Sequence, residues 1–434
     1  MTHRTWRVTV AGLMFTENPQ TTVYVCPNQT HPVSRAVHLG RMARFYPGCR
    51  QCAHRDDTGT LSAKQVERLQ QARPRGCAPS LFGREGAGGV YPNELQTHTI
   101  GKLAAALGIF LQTQYSEHGA TPTVVLAGDG RPLVAEPLAA AAEALRWTGC
   151  NLVDLGATTA ASTALAIDQL SARGGLLLGS SIDRPRAVGL KFWAPGPQPL
   201  SAGGSLEKIE RIFRRGTNRP ARTYGSLRRF RADVPYLESL VGHYHALRPL
   251  RIVLHSASNP LERYLRKLTD PLACRVVSFD GPRELLERRI RSEAAHFAAR
   301  ADDDGEICRV FDEQGRAVSD EQLLLLIATY LLRERPGGLI ALEKGVSASL
   351  AKAIHSAGGK TVATGNDRRS IFETMHRRDA LCGGGNSGRI WYAQGDHHAA
   401  DALMTITHLL AVLSRGDHPL SKVLDRAAKR WAGS

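Results

Sequence analysis

From residue 80 to residue 416 the chain alternates short apolar stretches with helical ones, and the apolar stretches close on glycine, serine or carboxylate turns. Strands are expected at 123–129, 150–155, 174–178, 250–255, 275–279, 338–343 and 360–363. Helices are expected between them, at 99–112, 133–148, 163–171, 259–267, 282–292, 320–334, 347–357, 369–378 and 399–414. Such alternation predicts an α/β protein whose largely parallel sheets carry helices on both faces. In sheets of this kind the chemistry lies beyond the carboxyl ends of the strands. Three consecutive α/β/α domains follow, at 80–216, 217–335 and 336–434. A Cys/His-rich module at 1–79 precedes them, and the Arg/Pro-rich stretch 73–79 reads as a linker.

Two turns in this frame carry candidate chemistry. Residues 301–313 read A-D-D-D-G-E-I-C-R-V-F-D-E. Asp302, Asp304 and Glu306 stand two residues apart, and Gly305 permits a tight bend. Alternating oxygen donors on a tight loop suit a hard cation such as Mg²⁺, with phosphate or water completing the shell. By spacing alone, an acidic surface turn is the alternative. An EF-hand is excluded, because Ile307 stands where its loop requires glycine. The second turn, Gly179-Ser180-Ser181, ends an apolar strand; by itself a Ser-Ser pair there reads as a plain turn. Gly383, Gly385 and Gly388 match G-x-G-x-x-G but precede a strand instead of opening a helix, which rules out a dinucleotide site.

The first eighty residues hold four of the eight cysteines. Cys49 and Cys52 have the spacing of one edge of a tetrahedral zinc site, and Cys26 is a natural third ligand. His31, His38 and His54 compete for the fourth place. So short a segment has little core, and a structural zinc would supply folding energy. Unligated thiols, or an iron–sulfur cluster that also uses Cys77, are the alternatives.

The net charge of +16 is carried mostly by arginine. No basic block interleaved with aromatics accompanies it, so a phosphorylated ligand is expected in preference to nucleic acid. No apolar run reaches membrane-spanning length and the N-terminus lacks an apolar signal core; a cytoplasmic protein is expected.

Five stretches resemble the α-D-phosphohexomutases, the family of phosphoglucomutase and phosphomannomutase. Residues 82–90 resemble that family's F-G-T-D-G-I-R-G-V, and 124–131, ending in Arg131, its V-V-G-R-D-T-R. Residues 179–191 resemble T-A-S-H-N-P followed by N-G-I-K, which aligns Ser181 with the phosphorylated serine and Lys191 with the lysine. The carboxylate loop is similar to D-G-D-x-D-R, and 383–389 to the sugar loop G-G-E-x-S-G-H, with Ser387 and Gly388 matched and Arg389 at the histidine. The resemblance implies that Ser181 passes a phosphoryl group to a hexose phosphate with Mg²⁺ at Asp302, Asp304 and Glu306. It implies sugar binding by Ser387, Gly388, Arg389 and Arg131.

The departures fall at chemistry. Gly88 replaces the opening arginine, Ile182 the histidine after the serine, Ile307 the arginine after the metal loop, and Gly385 the sugar-loop glutamate. The chain is also expected to lack the family's fourth domain, with its phosphate loop. The resemblance therefore leaves two readings open: a divergent mutase, or a catalytically degenerate scaffold that binds a sugar phosphate, a protein or a nucleic acid; a protein partner or a second copy of the chain is a further expectation for either. A zinc-dependent nucleic-acid binder is a third reading.

Overall fold

The structure, a computed structural model, describes residues 24–26, 31–46, 48–49, 52–71, 81–115, 121–180, 187–216, 221–256, 259–394 and 397–432. It divides into two units, Met1–Ser80 and Leu81–Ser434.

In the first unit, strands β1 (Tyr24–Val25) and β2 (Pro32–Val33) pair antiparallel. The helix Arg35–Ala43 follows, its first turn capped by Ser34 Oγ, which accepts from the Val37 amide at 3.3 Å. His38 and Met42 are its buried residues. A second helix spans Ala63–Gln71. The expected linker at 73–79, with Cys77, lies outside the described residues.

The second unit holds three sheets. The first contains β3 (Ala87–Gly89), β4 (Thr123–Gly128), β5 (Asn151–Ala157), β6 (Gly174–Ser180), β7 (Val188–Trp193) and β8 (Leu227–Arg229), in the order β3-β7-β6-β4-β5-β8. The second contains β9 (Arg251–His255), β10 (Arg275–Phe279), β11 (Phe297–Ala301) and β12 (Cys308–Asp312), ordered β10-β9-β11-β12. The third contains β13 (Leu339–Glu343), β14 (Lys360–Thr364), β15 (Ala380–Gly384), β16 (Ile390–Gln394) and β17 (His397–Ala400), ordered β14-β13-β15-β16-β17.

One pattern recurs in all three sheets. A parallel centre (β6-β4-β5, β11-β9-β10, β15-β13-β14) passes into an antiparallel hairpin (β6-β7, β11-β12, β15-β16). The parallel strands are apolar because helices cover both faces; Val124, Val125, Leu126 and Ala127 of β4 are all buried. The turn of each hairpin therefore projects from the carboxyl end of a central strand. For the second and third sheets these turns are residues 302–307 and 385–389; in the first sheet residues 181–186 lie outside the described residues.

Helix starts follow local chemistry. Ser319 caps Asp320–Glu334 reciprocally with Gln322, at 3.2 and 3.1 Å, satisfying amides that the helix leaves unpaired. Asp401 caps Ala402–Ser414 by accepting from the Met404 amide at 3.0 Å. That cap corrects the helix expected to start at 399: Ala399 and Ala400 belong to β17, paired with Tyr392 and Trp391. One continuous apolar core runs from Ala161 and Leu165 through Ile252 and Leu265 to Leu324, Ile340 and Leu409, so the second and third sheets share an interior. The first sheet has its own larger cluster around Leu103, Leu107, Phe110 and Leu176.

Candidate functional site

The carboxylate loop sits against the end of β6 and the sugar loop. Gly305 adopts φ of +74°, a left-handed conformation that glycine accepts without a steric penalty. The Gly305 carbonyl accepts from the Ala402 amide at 2.9 Å, and the Asp304 carbonyl accepts from the Ala160 amide at 2.8 Å. The loop is thereby pinned to the starts of two helices from the other sheets. Ile307 bridges Arg389 of the sugar loop, and the Cys308 amide donates to the Gly388 carbonyl at 3.0 Å. At the end of β6, a Cβ on Gly179 would lie 3.3 Å from Asp304 Cβ and 3.4 Å from Asp129 Cβ. The strand that leads into the serine turn thus ends against the carboxylate loop. Ser181 itself lies outside the described residues.

Buried charge fills the junction. The Lys191 ammonium, reaching across from β7, contacts Asp304 and lies 2.9 Å from Glu306 Oε2. Arg368 lies 2.8 Å from Glu306 Oε1, and its guanidinium stacks 4.6 Å from the Trp193 ring centre. Arg389 donates to both oxygens of Glu85, at 2.7 and 3.2 Å, and lies 3.5 Å from Glu306. The Arg368 amide donates to Glu85 at 2.9 Å. Arg131 binds Asp129 at 2.6 Å, the Gly179 carbonyl at 2.9 Å and Asp303 at 3.1 Å.

Electrostatics divide this network in two. Burial raises the Glu306 carboxyl, but Arg368, Lys191 and Arg389 outweigh it and bring the pKa down to about 2. Burial lowers Lys191, yet Asp304 and Glu306 more than restore it, so the ammonium stays charged. At the other end, burial and the neighbouring Asp304 carboxylate push Asp302 well above the usual range. Burial carries Asp129 up to about 6 against the pull of Arg131, and raises Asp303 as well.

Glu85, Asp129, Asp302, Asp303, Asp304 and Glu306 gather here with Arg131, Lys191, Arg368 and Arg389. Among the described residues, Asp304 Oδ1 is buried without a hydrogen-bond partner. Hard oxygen donors crowded on one tight loop suit a divalent cation. In this structure Lys191 contacts both Asp304 and Glu306, and Arg368 takes the other Glu306 oxygen. Among the described residues, no three His, Cys, Asp or Glu side chains converge to hold a metal.

The sugar loop is built around a carboxylate that sequence reading missed. Glu343, at the end of β13, is buried and accepts from Ser387 Oγ at 2.6 Å and from the Ser387 amide at 3.0 Å. Burial raises its pKa against these two hydrogen bonds. A Cβ on Gly385 would lie 2.6 Å from Glu343 Cβ and 2.8 Å from Oε2. The glutamate absent at 385 thus leaves space that Glu343 fills from the adjacent strand. Gly388 adopts φ of +78° beside Arg309. Glu85 carried a faint sequence signal, standing at the acidic position of the opening motif; Arg368, Glu343 and Asp303 carried none.

In the first unit, Cys26, Cys49 and Cys52 are buried, and Cys49 is raised by burial and then by its two neighbours. Cys26 Sγ accepts from Arg41 at 2.9 Å, His38 Nε2 bonds the Asp57 carbonyl at 3.0 Å, and His38 and His54 pack on the Tyr24 ring. His31 is exposed. Among the described residues no group of three His, Cys, Asp or Glu is placed to hold a metal, so the expected zinc site gains no support here.

Comparison with known proteins agrees with this architecture. Residues 79–220 match the description "Phosphoglucomutase/phosphomannomutase, alpha/beta/alpha domain I", and residues 319–431 match domain III of the same family. A phosphomannomutase of Vibrio cholerae is 25% identical over 366 residues, covering 78% of this chain and 77% of the relative. A phosphoglucomutase/phosphomannomutase of Thermococcus kodakarensis is 23% identical over 372 residues, covering 81% of each. The solved structure of a phosphoglucomutase/phosphomannomutase family protein from Burkholderia thailandensis superposes with a TM-score of 0.70 at 20% identity, over 80% of this chain and 79% of that one. With its first and third sheets matched in order, and relatives that align across the second, the chain belongs to the α-D-phosphohexomutase family.

Proposed function

We propose that this chain is a hexose-phosphate mutase of the phosphoglucomutase/phosphomannomutase type. The observation that carries the reading is the convergence of the end of β6, the carboxylate loop and the sugar loop, each from a different sheet, on one buried cluster of charge. Relatives named phosphomannomutase and phosphoglucomutase support the same class of substrate.

In this reading Ser181 carries a phosphoryl group. Its P–O bond breaks as a hydroxyl of the bound hexose phosphate forms a new one, and the proton of that hydroxyl leaves to a base or water. The bisphosphate then returns its other phosphoryl group to Ser181. Such transfers need positioning and charge stabilisation more than covalent help. Lys191 supplies a buried positive charge beside the carboxylate loop. Magnesium, when bound, would be held by Asp302, Asp304 and Glu306 and would supply positive charge at phosphoryl oxygens. Arg131 orients the end of β6 through the Gly179 carbonyl. Ser387, Gly388 and Glu343 offer the sugar a hydroxyl, a main-chain edge and a carboxylate. Arg389, buried in its pair with Glu85, acts on the sugar only through the loop that it anchors.

The test is turnover. Purified protein given glucose 1-phosphate or mannose 1-phosphate, Mg²⁺ and a trace of glucose 1,6-bisphosphate should form the 6-phosphate. Ser181→Ala should abolish it. Absence of turnover together with absence of phosphate on Ser181 by peptide mass spectrometry rejects the reading.

The degenerate-scaffold reading is favoured by one observation: Lys191, Arg368 and Arg389 are all buried and spend their charge on Glu85, Asp304 and Glu306. It predicts hexose-phosphate binding by calorimetry that is unchanged in Ser181→Ala, with no turnover in either protein.

A further inference from the structure

A cavity of about 660 Å³ opens among the helices Asp320–Glu334, Ala348–Ser356, Ala402–Ser414 and Leu420–Ala432. It shares no lining residue with the carboxylate, serine or sugar loops. Its size falls in the range of roughly 300–1,000 Å³ typical of small-molecule sites.

The lining is sharply divided. Leu325, Leu326, Leu413 and Val423 form an apolar floor. Arg333, Arg415 and Arg426 stand around it, and no carboxylate lines the cavity among the described residues. Arg415 is held in place: its guanidinium lies 4.4 Å from the Tyr330 ring centre and 3.8 Å from Glu334. Arginine stems cover apolar surface while their heads remain polar, and the planar head matches a carboxylate or phosphate in two parallel hydrogen bonds. An apolar floor favours a hydrocarbon chain by burial of its surface. Cations without lining carboxylates favour an anionic head and disfavour a cationic one.

We infer that this cavity is a binding site for a single-chain amphipathic anion, an alkyl or prenyl chain bearing a phosphate or carboxylate, taken up as a free monomer. The inference does not depend on the mutase reading, since the two sites share no residue.

The probe is dodecyl phosphate below its micelle concentration, titrated calorimetrically into the full chain. One equivalent should bind, with dodecyltrimethylammonium and inorganic phosphate each weaker by about tenfold or more, a difference of about 1.4 kcal/mol. Arg333→Glu with Arg426→Glu, at two exposed positions where folding is not at stake, should weaken dodecyl phosphate by about tenfold or more. Leu326→Trp should block it by filling the floor; circular dichroism reports whether that variant has folded, and the charge reversals decide the question if it has not. Equal affinity for both detergents, or affinity indifferent to charge reversal, overturns the inference. So does binding to phosphatidic acid vesicles without binding of the monomer, which would indicate a membrane surface. A ligand-free dimer that hides the cavity would also overturn it.

Discussion

Lys191 occupies the position at which positive charge matters most in this protein. Its ammonium is buried between Asp304 and Glu306, so its removal strips two buried carboxylates of a counter-ion. Breaking a buried ion pair from one side costs roughly 3–5 kcal/mol. Lys191→Met should therefore lower stability by an amount of that order in urea titrations, whether or not the protein turns over. If the mutase reading holds, the same variant should lose about a hundredfold or more in kcat, the typical cost of removing a preorganised stabilising donor.

Glu343 permits a sharper test at the same scale. Gly385→Glu alone should destabilise, because its Cβ would meet Glu343 at 2.6 Å. Glu343→Ala alone should raise KM for the sugar phosphate. Combining the two moves the carboxylate to the family's position, and recovery of KM toward wild type is the expected outcome. No change in KM for Glu343→Ala would show that this carboxylate only shapes the loop.

Among the elements, the helix Asp320–Glu334 links both places of interest. Its first residue pairs with Arg309 of β12, and its later turns line the apolar cavity. Its N-terminus depends on Ser319, whose side chain and amide exchange hydrogen bonds with Gln322. Ser319→Ala removes one half of that exchange and should cost about 1 kcal/mol, seen as a lower urea midpoint with an unchanged slope. The hairpins matter for a different reason. Each turns one strand back antiparallel at the carboxyl end of a parallel centre, which brings the end of β6, the carboxylate loop and the sugar loop, distant in sequence, to one region of the unit. The carboxylate loop and the sugar loop are equivalent positions of two similar sheets.

For the whole molecule, two buried histidines govern how stability responds to acid. Burial, with a smaller push from His243, lowers the His408 pKa to about 3; burial, then His376 and His397, lower His398 to about 4. Both are neutral in the folded protein, whereas the unfolded chain takes up protons near pH 6.5. Above that pH neither contributes. Below it the unfolded state gains protons that the native state refuses, so stability falls as pH drops from about 6.5 toward the folded values. For His408 alone the loss is roughly 2 kcal/mol at pH 5. Asp129, Asp302 and Asp303, raised by burial, take up protons in the folded state over the same range and offset part of this loss, so the test is comparative: between pH 7 and pH 5, His408→Leu should lose about 2 kcal/mol less stability than the wild type. A decline of the same slope in the variant would remove His408 as its source.

The strand–helix alternation, the strand of Val124 to Ala127, the glycine bend at Gly305 and the order of the three sheets were all written in the sequence, because each rests on periodicity or on a residue whose local preferences decide the matter. The carboxylate loop was legible as a short stretch of unusual local composition, and the sugar loop through its resemblance to the mutase motif. The chain alone did not reveal that both Glu306 oxygens would be engaged by cations. That pairing depends on Lys191, Arg368 and Arg389, dozens of residues away, whose charges are within reach only after three sheets have packed together. Nor did it reveal that Glu343 would fill the space beside Gly385, or that Arg41 and Asp57 would bond Cys26 and His38. Local sequence sets which conformations a segment prefers. Which partner a buried charge finds is settled by distance in three dimensions, since unpaired charge in a low-dielectric interior is too costly to persist.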